Sequence, residues 1–128
     1  MIATTEGGAV AELKVGSKLG YNSIEAMPYD SELGFNSFTL LVLDENGNPT
    51  FENSLTVYTT GAPEFTDVLG NTSNGIEIKY MDGGNGAQYE YQWQQNGFTI
   101  TLNDSIKMAL MSVSEVETVI KNIVIIPR

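Results

Sequence analysis

The dipeptide Asn96-Gly97 constrains this chain more than any other feature, because of what flanks it: Gln88-Tyr89-Glu90-Tyr91-Gln92-Trp93-Gln94-Gln95 before, Phe98-Thr99-Ile100-Thr101-Leu102-Asn103 after. Both turn residues tolerate the positive φ of a type I′ turn, which matches the twist of paired strands, so the segment predicts a tight β-hairpin. A two-residue loop fixes the register: Gln95 faces Phe98, Trp93 faces Ile100 and Tyr91 faces Leu102. On the other side Gln94 faces Thr99, Gln92 faces Thr101 and Glu90 faces Asn103. Turning the aromatic side outward would bury Gln88, Glu90, Gln92 and Gln94, at roughly 1 to 3 kcal/mol for each polar group left without a partner. Tyr89 and Tyr91 are therefore assigned to the core. Trp93, nearer the turn, is expected to be partly exposed.

Similar apolar or alternating runs recur along the chain with Gly, Asn, Asp or Pro between them, the pattern of an all-β domain. The strands expected are Val10 to Val15, Asn22 to Met27, Phe38 to Asp44, Leu55 to Thr60, Ile76 to Met81, Gln88 to Gln94, Phe98 to Asn103, Ile106 to Val113 and Val119 to Ile126. Phe38-Thr39-Leu40-Leu41-Val42-Leu43 is nearly continuous in its apolarity and reads as a central strand covered on both faces. Ser114-Glu115-Val116-Glu117 resembles a helix start, with Val116, Val119, Ile120 and Ile123 at helical spacing. The β-branched density that follows favours a turn at Ser114 to Glu117 and a final strand. The fold expected is a two-sheet antiparallel β-sandwich of jelly-roll type, with a β-barrel as the alternative. At 128 residues it is one domain, 1–128, able to bury a core of its own.

The chain contains neither cysteine nor histidine. That removes thiol nucleophiles, disulfides, Cys/His zinc sites and Ser-His-Asp triads. Six basic against sixteen acidic residues give a net charge of −10, which repels phosphate backbones and anionic lipid, so neither nucleic acid nor membrane is an expected partner. The start Met1-Ile2-Ala3-Thr4-Thr5-Glu6-Gly7-Gly8 lacks the blocks of a signal peptide, and no apolar run approaches a membrane span. The chain reads either as cytoplasmic or virion-borne as it stands, or as a module of a longer secreted protein. Paired carboxylates are the remaining catalytic resource, at Asp30 and Glu32, Asp44 and Glu45, or Glu115 and Glu117. None is expected to lie in the desolvated pocket that acid catalysis needs, so no enzyme activity is expected.

The residues left to carry function are those of the hairpin's polar side. Glu90, Gln92, Gln94, Thr99, Thr101 and Asn103 form a strip of amides, hydroxyls and one carboxylate without lysine or arginine, suited to the vicinal hydroxyls of a neutral sugar. Trp93 at the hairpin tip, and Tyr21 and Tyr29 beside turn residues, are candidates to stack on a sugar ring. No cofactor is expected. The loops Asp82-Gly83-Gly84-Asn85-Gly86 and Asp44-Glu45-Asn46-Gly47-Asn48 each fall short of the roughly six to eight oxygen ligands of calcium, which leaves a structural calcium open.

Ser105-Ile106-Lys107-Met108-Ala109-Leu110-Met111, followed by Val119-Ile120-Lys121-Asn122-Ile123-Val124-Ile125, resembles the last two strands of jelly-roll carbohydrate-binding modules. Their closing strand often reads Ile-Asp-Asn-Ile; Lys121 stands here in the place of that Asp. The resemblance implies a non-catalytic sandwich that binds polysaccharide; taken with the strip just described, the function expected is recognition of a neutral plant or microbial polysaccharide by an extracellular module. The rival expectation is a virion structural protein, a phage capsid decoration or tail component. There Ile123-Val124-Ile125-Ile126-Pro127 packs against a neighbouring subunit in a homo-oligomer or virion assembly.

Overall fold

The computed structural model describes residues 2–4, 9–13, 21–27, 35–82, 88–104 and 109–127. In chain order the elements are β1 (Ile2–Thr4), β2 (Ala9–Leu13), β3 (Ser23–Ala26), β4 (Phe35–Leu43), β5 (Pro49–Tyr58), β6 (Asp67–Asn71), β7 (Glu77–Asp82), β8 (Tyr89–Gln95), β9 (Phe98–Asp104), α1 (Val113–Asn122) and β10 (Ile123–Pro127). Seven strands form one antiparallel sheet in the order β3-β4-β5-β9-β8-β7-β6, and β1-β2-β10 form a smaller one. The two make an all-β sandwich, and neither closes into a barrel among the described residues.

The pleat of the larger sheet sorts its side chains. Phe38 and Leu40 of β4, Leu55 and Val57 of β5, Ile100 and Leu102 of β9, Tyr91 and Trp93 of β8 and Ile78 of β7 share one buried face. Ala11 of β2, Ile123 and Ile125 of β10, and Val116, Val119 and Ile120 of α1 complete the same core from the other side. The apolar run of β4 is covered on both faces in part: Leu41, pointing away from this core, is also buried. β4 lies next to the edge strand β3, while β9 takes the middle of the sheet.

Two expectations about the C-terminal region are corrected. Val119 to Ile126 is not one strand, because α1 runs to Asn122 and only then does β10 begin. Val113, expected to end a strand begun at Ile106, opens the helix; residues 105–108 lie outside those described. The helix cap is Ser112, two residues before the position read from sequence. Its hydroxyl accepts from the Glu115 amide at 3.3 Å, and Glu115 accepts from the Ser112 amide at 3.1 Å, closing a capping box. Burial decides against the strand. Val116, Val119 and Ile120 each gain roughly 1.5 to 3 kcal/mol from the core, whereas β-branching costs a helix less than about 0.7 kcal/mol per residue.

Strand β6 carries no clear strand signal in the sequence, because Asp67, Gly70 and Asn71 are poor strand formers. The β6–β7 register shifts between Val68 and Gly70, and Gly70 has φ +151°; a Cβ there would lie 2.7 Å from Val113 Cγ2. The close approach of helix to strand thus depends on a glycine. At the other end of the core Asn53 donates its amide to the Tyr21 hydroxyl and, at 2.9 Å, to Asp104 Oδ1. Tyr91 accepts from the Met111 amide at 2.8 Å. Burial pushes the Tyr21 and Tyr91 phenols up to about 12 each.

Candidate functional site

The central hairpin has the register that its turn dictates. Asn96 and Gly97 take φ of 52° and 81°, and Gln94 pairs with Thr99, Gln92 with Thr101 and Glu90 with Asn103. These outward pairs bond to one another. Gln94 Nε2 donates to Thr99 Oγ1 at 2.7 Å, and Asn103 Nδ2 donates to Glu90 Oε1 at 3.3 Å. Side chains that would otherwise rotate freely are tied to their cross-strand partners.

The polar strip is not continuous, however. The connection from β5 to β6 must travel from the middle of the sheet to its far edge, and residues 59–66 do so across the polar face. Gln92 Nε2 donates to the Pro63 carbonyl at 2.8 Å and approaches Thr101 Oγ1 at 3.5 Å. Phe65 is buried within the same connection. Gln92 and Thr101 are consequently only 8% and 7% exposed. Gln92 holds this strap in place and Thr101 lies buried beside it, and their expected part in a continuous open ligand face is corrected accordingly. A phenylalanine amid the polar residues 59–66 was the available signal, since it requires burial somewhere.

The stacking candidates are also displaced. Trp93 is 2% exposed, not partly open, and its Nε1 donates to Gln95 Oε1 at 2.9 Å. Gln95 Nε2 in turn donates to the Ile123 carbonyl at 3.2 Å, and Asn96 Nδ2 to the Ile125 carbonyl. The hairpin tip is docked on the edge of β10, which leaves no tryptophan face for a ligand. Tyr21, expected beside an exposed turn, is 8% exposed inside the core. Tyr29 lies outside the described residues.

What stays open is the end of the polar face around Gln94. A groove of about 360 Å³ is lined by Gly75, Ile76, Glu77, Lys79, Gln92, Trp93 and Gln94. A second of about 570 Å³ adjoins it through Ile76 and Gln94, and runs past Asn74 and Asn96 to Ile120, Lys121 and Val124. Asn74, Glu77, Lys79 and Lys121 were not among the sequence candidates; their strand and helix assignments alone do not bring them to one place.

The groove wall is pinned by Glu117. It accepts from the Ser73 amide, from Ser73 Oγ at 2.9 Å and from Lys121 Nζ at 2.7 Å. The Lys121 bond and then the Ser73 bonds hold its carboxyl down at about 2. Lys79 stands 4.0 Å from Glu77, so each lysine of the groove has an acidic partner and the surface is close to neutral. Where the strap leaves β5, Tyr58 and its neighbour Phe35 face the polar side in register with Thr99, and burial, followed by the charge of Glu90, raises the Tyr58 phenol.

Of the carboxylates considered for catalysis, Asp44, Glu115 and Glu117 hold structural contacts, and Asp30 and Glu32 lie outside the described residues. Asp44 Oδ1 accepts from the Asn46 and Asn48 amides at 2.9 Å each, shaping its own turn. Glu115 closes the capping box and Glu117 clamps the turn. Among the described residues no three His, Cys, Asp or Glu side chains cluster as a metal site, and no helix is long and apolar enough to cross a membrane. The chain matches no family model, no curated protein and no solved structure.

Proposed function

We propose that this domain recognises a neutral polysaccharide without catalysis, as a module of a secreted protein, through the groove centred on Gln94. The observation that carries the reading is the Gln94–Thr99 pair, prearranged at 2.7 Å, with Gln94 standing where the two grooves meet and lysines already neutralised by acids on either side of it. An amide and a hydroxyl side by side offer donors and acceptors together, which vicinal sugar hydroxyls require and a charged ligand does not. Glu90 and Asn103 extend the same chemistry below the strap. Binding of this kind is weakly sensitive to salt.

Affinity electrophoresis against soluble xyloglucan, mixed-linkage β-glucan, arabinoxylan and galactomannan tests the reading. Retardation by at least one, lost in Gln94→Ala with an unchanged melting temperature, is expected. No retardation by any refutes it. The rival, assembly between copies, draws on Ile126, which is 45% exposed on β10. Light scattering that returns a ring or filament, together with no retardation, would favour that rival.

A further inference from the structure

The pleat that sends Tyr91, Trp93, Phe98 and Phe38 to the core sends Phe35 and Tyr58 to the opposite, polar face. They are cross-strand partners on β4 and β5, with ring centroids 5.5 Å apart and planes at 56°. Both remain half-buried. Tilted pairs of this kind are mutually attractive, so the rings hold each other in place without being sealed from solvent. The register then carries the row onward: Tyr58 is opposite Thr99 on β9, and Thr99 is opposite Gln94 on β8. Phe35, Tyr58, Thr99 and Gln94 thus stand in line over four adjacent strands, about 14 Å at the usual strand spacing. None of the four is charged.

We infer that the Phe35–Tyr58 pair is a stacking subsite at one end of this row, so that the ligand is a linear, neutral oligosaccharide of several rings and not a single sugar. The inference rests on the polysaccharide reading above. A pyranose presents C–H groups on its face and hydroxyls at its rim. The face lies on an aromatic ring, and the rims of the next sugars along the chain meet Thr99 and Gln94. Rings fixed by their own packing lose little freedom when a ligand arrives. A compact monosaccharide reaches either the rings or Gln94, whereas a chain engages both.

The test uses whichever of the four polysaccharides retards the wild type most, and oligosaccharides of increasing length cut from it, titrated calorimetrically. Tyr58→Phe keeps the ring and is expected to bind within about threefold of wild type. Tyr58→Leu keeps apolar packing but removes the flat ring, and is expected to weaken binding about tenfold while lowering the melting temperature by only a few degrees. Wild-type affinity should climb with chain length over the first several sugars. If Tyr58→Leu binds as wild type while Gln94→Ala does not, the stacking subsite is refuted and the Gln94 groove stands. A monosaccharide that binds as tightly as its oligomers refutes it equally. If no polysaccharide retards the wild type, both readings fall together.

Discussion

Replacing Tyr91 tests the sidedness on which every statement about the polar face depends. Its side chain is fully buried, with Tyr80 and Leu102 as cross-strand neighbours and its hydroxyl on the Met111 amide. Tyr91→Ala removes a large aromatic group and leaves a cavity, for a loss of about 3 to 5 kcal/mol. Tyr91→Phe keeps the ring and strands the Met111 amide, for about 1 to 3 kcal/mol. A chain of 128 residues has an unfolding entropy of about 270 cal/mol/K. Each kcal/mol therefore lowers the melting temperature by about 4 °C, and Tyr91→Ala by about 11 to 19 °C. Calorimetric melts, with urea titrations to check that the slope is unchanged, measure both variants. If Tyr91→Ala melts within a few degrees of wild type but loses polysaccharide binding, the aromatic side faces solvent and the sheet has been read inside out.

Other outcomes follow from the same contacts. The phenols of Tyr21 and Tyr91 are raised to about 12 from 10, so the stability tied to their protonated forms is complete below pH 10. It is lost as pH rises toward 12; Tyr91→Phe should make the loss of stability with pH shallower in alkaline melts, whatever its effect at pH 7. Glu117 has the opposite sign: held near 2 against an ordinary 4.5, its carboxylate stabilises above pH 4.5 and ceases to do so as pH falls through about 2. Glu117→Gln should melt below wild type at pH 7, with the gap closing in acid; a gap that persists at pH 2 contradicts the clamp. Gly70→Ala meets both a positive φ and the Val113 methyl, so a destabilisation of about 1 to 3 kcal/mol is expected in thermal melts.

The hairpin was legible in the sequence because its turn is local: Asn96-Gly97 dictates the register, and the register dictates the faces. The cross-strand neighbours of Trp93 and Gln94 followed from that alone. What the sequence did not disclose depends on distant pieces of chain. The strap over Gln92 is set by where β6 joins the sheet, and β6 itself has too few strand formers to announce itself. Residues 113–122 carry periodicities compatible with either helix or strand, and the choice is made by a core that the segment helps to build. Trp93 is closed off by β10 docking on the hairpin tip, a contact spanning some thirty positions. Tyr21 is drawn inward by Asn53, on a strand that the turn residues around it do not reveal. Phe35 and Tyr58 lay beyond the expected bounds of one strand and near the end of another, so their shared face appeared only with the register.

Whether a neutral glycan is held at Gln94 is decided by titrating wild type and Gln94→Ala with the retarding polysaccharide at low and high salt. Saturable heat is expected for the wild type, unaltered by salt, and none for the variant, with both proteins melting alike. Binding that survives in Gln94→Ala, or that vanishes as salt is raised, would contradict it.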